Sequence, residues 1–167
     1  MQLVRLADVL PEAIYDMRYT TTNNVVGRNL YLDQRFEAQL TEPAAHAVLK
    51  AWESLLAQQL RLVIWDAYRT PVVQEILQSL EQDTRYVRND SVHPQGNAVD
   101  VTLAASDGKY LDMGTDFDDF SERAHPDSAE ITEQQRANRH ILSNAMQKAG
   151  FKQWPYEWWH FDYLDNN

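Results

Sequence analysis

The chain has 167 residues, enough for one domain to bury a sizeable core without a disulfide or metal to hold it together. Its net charge of −10, from 15 Lys and Arg against 25 Asp and Glu, excludes the basic surface that a nucleic acid or an anionic membrane would need. The absence of cysteine excludes disulfides, thiolate metal sites and a thiol nucleophile, so any metal must sit on His, Asp or Glu.

In chain order, Leu3 to Val9 is expected to form a short strand, and Met1 to Leu10 carries Arg5 and Asp8 with no cleavable leader pattern. Asp16 to Gly27, polar and rich in Thr and Asn, reads as loop. A helix is predicted from Thr41, with Thr41 as cap, Pro43 in the first turn, and Ala44, Ala47, Val48, Trp52, Leu55 and Leu56 at helical spacing. Leu62 to Tyr68 has the β-rich composition of a central strand. Thr70-Pro71 opens a second helix, whose apolar stripe is Val72, Val73, Ile76, Leu77 and Leu80.

Asn97 to Leu103 alternates, with Val99, Val101 and Leu103 on one face and Ala98, Asp100 and Thr102 on the other. Asp107-Gly108 is a hairpin turn signal. Thr132 and Gln135 form a capping box for a third helix that Gly150 ends. Phe151 to Leu164 reads as two short aromatic strands around Pro155. Helices and strands are mixed without regular βαβ alternation, which gives an α+β fold: a small mixed sheet flanked by helices in a single domain, residues 1–167. No stretch is long and apolar enough to span a bilayer. The expected compartment is the cytoplasm, or the periplasm if a signal peptide has been trimmed.

Two segments carry chemistry. In Ser91-Val-His93-Pro-Gln-Gly96-Asn-Ala98-Val-Asp100, His93 sits on a loop before proline, and Asp100 lies in the strand that follows. A carboxylate inside an apolar strand is costly to bury unless it is paired or metal-bound. In Glu157-Trp-Trp-His160, Glu157 falls at a strand entry, where the chain can still turn, and His160 within the strand. Taken singly, each reads as an ordinary loop, sheet-surface or core residue. Together, two imidazoles and one carboxylate suit Zn²⁺ with a fourth position open to water, and Glu157 is the spare carboxylate that can act as base.

The pattern S-x-H-x-x-G-x-A-x-D followed by E-x-W-H resembles the D-alanyl-D-alanine dipeptidases. Tyr15-Asp-Met-Arg-Tyr19, Asn23-Asn24, Asp66-Ala-Tyr-Arg69, Asp112-Met-Gly114, Phe117-Asp118 and Glu122-Arg-Ala-His125 extend the resemblance, in order, through most of the chain. It implies one zinc ion per chain on His93, Asp100 and His160, with Glu157 as general base and Arg69 stabilising the oxyanion. Asp118 and Ser91 would hold the substrate's ammonium, with Tyr19 and Phe117 also at the substrate. The implied partner is a small dipeptide. The rival functions are a zinc D,D-carboxypeptidase or cell-wall endopeptidase acting on longer peptides, and a zinc-stabilised binding module without catalysis. The chain departs from the family pattern at Thr70, which separates Arg69 from Pro71, at Pro94-Gln95 in place of Ser-Arg, and at Tyr156 in place of Ser. Its tail after His160 is also shorter than in many members. Pro94, Gln95 and Tyr156 are expected to line or shape the pocket.

Overall fold

The computed structural model describes residues 2–31, 36–81 and 83–164. Its elements run β1 (Leu3–Arg5), α1 (Leu6–Val9), β2 (Ile14–Tyr15), β3 (Gln39–Thr41), α2 (Glu42–Leu56), β4 (Leu60–Asp66), α3 (Pro71–Leu80), β5 (Ala98–Ala105), α4 (Glu133–Lys148), β6 (Phe151–Gln153) and β7 (His160–Tyr163). The arrangement is α+β, as the sequence predicts. A five-stranded sheet has the order β2-β4-β5-β7-β6, parallel between β2 and β4 and antiparallel elsewhere, and β1 and β3 form a separate antiparallel pair. Helix α2 packs on β4 and α4, and α4 packs on β5 and β6. Among the described residues no helix is long and apolar enough to cross a membrane.

Strand β5 is the middle of the sheet, and its alternation is as expected, but both of its faces are buried from Ala98 to Ala104. Asp100 therefore does not lie on a solvated sheet surface. The strand predicted at 62–68 begins two residues earlier and stops at Asp66, because β5 pairs from Leu60 onward and the Tyr68 N–H turns away to Gln39 O. That strand contains an irregularity. Ile64 pairs with Val101, but Asp66 pairs with Asp100, so Trp65 is an extra residue. In a regular ladder Trp65 would oppose Asp100 and Asp66 would fall on the face of Val99. The bulge moves Asp66 to the face of Asp100.

Three further expectations are corrected. Only Leu3–Arg5 of the predicted 3–9 strand is extended, because β3 offers just three partners. The chain then makes one helical turn that buries Leu6 and Leu10, both 0% exposed. Thr41 occupies the cap position of α2, but its hydroxyl donates to Asn97 Oδ1 (2.6 Å) instead of accepting from the helix. The α3 stripe is also rotated. Val72 and Leu80 are 65% and 57% exposed, while Val73, Gln74 and Leu77 are buried, because the Gln74 carboxamide is drawn inward to Arg69 and the Arg88 carbonyl. The capping box of α4, its glycine stop at Gly150 and the strand pair around Pro155 are as predicted.

Gly96 closes the turn that carries His93. Its φ is +69°, its carbonyl accepts from Thr41 N, and a Cβ there would lie 2.6 Å from Leu3 Cδ2 and 3.2 Å from Thr41 N. Both the left-handed backbone and the packing exclude a side chain. Gly96→Ala should lower stability by roughly 2–3 kcal/mol, read as a shift of the urea midpoint at unchanged slope.

Candidate active site

Sheet register builds the centre of the site. Asp66 on β4, Asp100 on β5 and His160 on β7 are successive lateral partners, so three adjacent strands present one row of polar side chains. His93 joins from the loop turn His93–Gln95. Its Nδ1 is 2.6 Å from Ala67 O; a carbonyl can only accept, so Nδ1 carries the proton and Nε2 is left with its lone pair. At His160 the arrangement is reversed. Nε2 donates to Asp162 Oδ1 (2.8 Å), and Nδ1 faces Asp100 Oδ1 (2.9 Å) and His93 Nε2 (3.3 Å). Residues 160 and 162 alternate along β7 and so share a face, a relation that strand spacing in the sequence already carries.

One ligand atom from each of His93, Asp100 and His160 lies within 4.8 Å of the others, and all three residues are buried. Atoms held about 2.0–2.1 Å from one tetrahedral centre lie about 3.3 Å apart. The observed separations are 3.3 Å for His93 Nε2 to both His160 Nδ1 and Asp100 Oδ2, and 2.9 Å for His160 Nδ1 to Asp100 Oδ1. The set fits a divalent transition-metal ion. Both imidazoles are anchored through their far nitrogens, which aims the near ones inward.

Glu157 ends the segment before a tight turn closed by His160 N to Glu157 O (3.4 Å), and this turn brings residues i and i+3 to the same place. The residue is 6% exposed, and Oε2 stands 4.0 Å from His160 Nδ1. Burial, with added repulsion from Asp100 and Asp118, raises its pKa well above the ordinary carboxylate value despite the pull of His160 and Arg69. Arg69 is buried, so its pairing with Asp66 (2.8 Å) is an interior contact and not a surface one; Nη1 donates to Gln74 Oε1 (2.8 Å), and Nη2 reaches Asp100 Oδ2 at 3.5 Å.

The surrounding cleft brings together Arg69, Ser91, His93, Asp100, Asp118, Glu157, His160 and Tyr19. Asp118, at φ +58°, accepts from Tyr19 OH (2.9 Å) and Val25 N (3.0 Å), and burial raises its pKa to about 6. Phe117 is not on the cleft wall. It packs edge-on to Tyr19 and against Trp65 and Trp159, because residues 117 and 118 point to opposite sides of their loop. Pro94, Gln95 and Tyr156 do not line the cleft either: the first two belong to the turn behind His93, and Tyr156 packs on His125 and Trp154. The walls that the sequence did not suggest are Leu77, Tyr86, Val87, Arg88, Phe120 and Trp159.

Asp100 and Asp162 flank the two nitrogens of His160. Burial alone would lower the His160 pKa, but the two carboxylates outweigh it and raise it to about 10. The same contacts, against the opposite effect of burial, hold Asp162 down to about 2. A raised histidine pKa means an imidazolium below that value, so a cation arriving at Nδ1 must displace a proton. Metal uptake at pH 7 should release about one proton, measured calorimetrically in buffers of different ionisation enthalpy, and His160→Ala should abolish the release. Release unchanged by that substitution would mean that Nδ1 of His160 is not a ligand atom.

Comparison with known proteins agrees with this geometry. A family model described as D-ala-D-ala dipeptidase matches residues 1–167. The chain is 34% identical over 164 residues to the D-alanyl-D-alanine dipeptidase of Escherichia coli (strain K12), covering 96% of this chain and 84% of that protein. It is 28% identical over 178 residues to the D-alanyl-D-alanine dipeptidase of Enterococcus faecium (93% and 88% covered) and 26% over 182 residues to that of Enterococcus faecalis (96% and 90%). With its full length matched and a His/Asp/His centre ready for a metal, the chain belongs to the D-Ala-D-Ala dipeptidase family and is a metallopeptidase.

Proposed function

We propose that residues 1–167 form one dipeptidase domain that hydrolyses D-Ala-D-Ala, or closely similar D-amino-acid dipeptides, with one zinc ion held by His93, Asp100 and His160. The observation that carries this reading is the pairing of two buried carboxylates in one cleft. Glu157 stands beside the donor set, and Asp118 is held separately by Tyr19 and Val25. The first has the position of a base and the second that of an ammonium acceptor. The names of the relatives point to the same substrate.

Two imidazoles and a carboxylate, with no thiolate, favour zinc. Held by His93, Asp100 and His160, zinc would supply a water of lowered pKa and a Lewis acid for the scissile carbonyl. Glu157 takes a proton during the attack and returns it to the departing amine; its burial keeps that proton out of bulk water. Arg69, fixed by Asp66 and Gln74, offers a rigid positive edge to the developing oxyanion. Asp118 and the Ser91 hydroxyl take the substrate ammonium, with Tyr19 orienting Asp118. An Asp118 held by Tyr19 OH and Val25 N would favour a free amino terminus beside it, which disfavours the longer cell-wall peptides of a carboxypeptidase or endopeptidase.

D-Ala-D-Ala should be cleaved and N-acetyl-D-Ala-D-Ala should not, since acetylation removes the charge that Asp118 pairs with. A preference for the acetylated peptide would transfer the assignment to a carboxypeptidase. Glu157→Gln should keep its metal, by elemental analysis, while kcat falls by roughly 10²-fold or more. Arg69→Ala should lower kcat more than it raises KM, by about 10²–10³ in kcat, and a change confined to KM would assign Arg69 to ground-state binding.

A further inference from the structure

A free dipeptide is a zwitterion, and Asp118 answers only its ammonium. The cleft wall carries two guanidinium groups, Arg69 and Arg88. Arg69 is already assigned: Asp66 at Nε, Gln74 at Nη1 and Asp100 near Nη2 hold it, and the reading above gives it the oxyanion. Arg88 is not. Its Nε donates to Asp90 (3.0 Å), whose side chain is 82% exposed, so water screens that pairing. Its Nη1 donates to Asp162 Oδ2 (2.5 Å), but Asp162 also carries the His160 contact. Nη2 has no acceptor among the described residues.

The guanidinium is nevertheless held in place. Its Cζ lies over the Trp154 ring, 4.0 Å from the centroid, and the side chain is only 11% exposed. The Arg88 carbonyl is gripped by the carboxamides of Gln74 (3.0 Å) and Gln78 (3.1 Å), which ties the residue to α3. A planar fork fixed by stacking and by two carboxylates, with Nη2 unspent on a residue that lines the cleft, is suited to bind a carboxylate. Arg88 and Asp118 also reach the cleft from different parts of the chain, Arg88 tied to β7 and α3, Asp118 to Tyr19 and the loop of Val25.

We propose that Arg88 receives the α-carboxylate of the dipeptide, so that the enzyme reads both of its substrate's charges; this rests on the dipeptidase reading above. Arg88 is then a specificity-determining residue, and a blocked carboxyl end is rejected as a blocked amino end is.

The test compares D-Ala-D-Ala with its carboxamide, D-Ala-D-Ala-NH2, in the zinc-loaded enzyme. Wild type should favour the acid by roughly 10- to 100-fold in kcat/KM, the usual scale for a hydrogen bond to a charged group. Arg88→Met should collapse that ratio toward one by slowing the acid and sparing the amide, and Arg88→Lys should restore part of it. If Arg88 only props Asp162 and His160, both substrates slow alike and the ratio stands, which overturns the proposal. Equal turnover of acid and amide by wild type overturns it as well, even if the variants do not fold. Failure of wild type to cleave either compound counts against the dipeptidase reading instead.

Discussion

Two carboxylates, Asp66 and Asp100, lie side by side in the interior, on neighbouring strands of one sheet. Like charges so placed repel strongly, and each loses its hydration, so the arrangement survives only if cations and N–H donors surround it. Much of the structure does that. His93 and His160 close on Asp100, and Arg69 bridges to both carboxylates. The two aspartates are driven apart in acidity: burial pushes Asp66 up, whereas Asp100 is held well below the ordinary value by the two histidines in spite of its burial. One carboxylate remains available to a cation, and the other serves as a brace for Arg69.

The second half of the site is loop, and it is stiffened by side chains with no chemistry of their own. Asn24 accepts from Val26 and Gly27 and donates to the carbonyls of Arg18, Thr21 and Arg28, which fixes the turn whose Val25 N–H reaches Asp118. From the other side Arg139 of α4, 1% exposed, donates to the carbonyls of Met113, Arg123 and His125. A buried guanidinium spent on three backbone oxygens pins the loop that carries Asp118 to the helical layer, where loop backbone would otherwise lack partners.

The candidate metal donors and Glu157 stand out in the sequence because their environments conflict with their chemistry. An aspartate in an apolar strand, and a glutamate and histidine in an aromatic one, demand an explanation that surface residues do not. Strand alternation, the capping box at Thr132 and the turn at Asp107-Gly108 were legible because they are local. What could not be read depends on tertiary pairing. The face of α3 is set by Gln74 reaching Arg69, not by its apolar spacing, and β4 begins where β5 ends. Arg88 lies in a stretch without periodicity and gains its surroundings only when β7 supplies Asp162 and Trp154 comes to lie under it. Pro94, Gln95, Tyr156 and Phe117 were drawn to the pocket by adjacency in sequence, which alternating side-chain directions break.

The bulge at Trp65 makes β4 a parity device. Along a strand each residue reverses the side on which the next side chain emerges, so a change of one residue in length is a change of side. Between Ile64 and Asp66 that alternation is broken once, and the side on which Asp66 emerges depends on the break. With the same residues paired in a regular ladder, Asp66 would emerge on the opposite face of the sheet and leave Arg69 unbraced, while every residue of the proposed metal centre stayed in place. Anyone transplanting this centre onto another β scaffold would have to carry over the irregularity along with the ligands, since a regular ladder with the same side chains would be one residue out of phase.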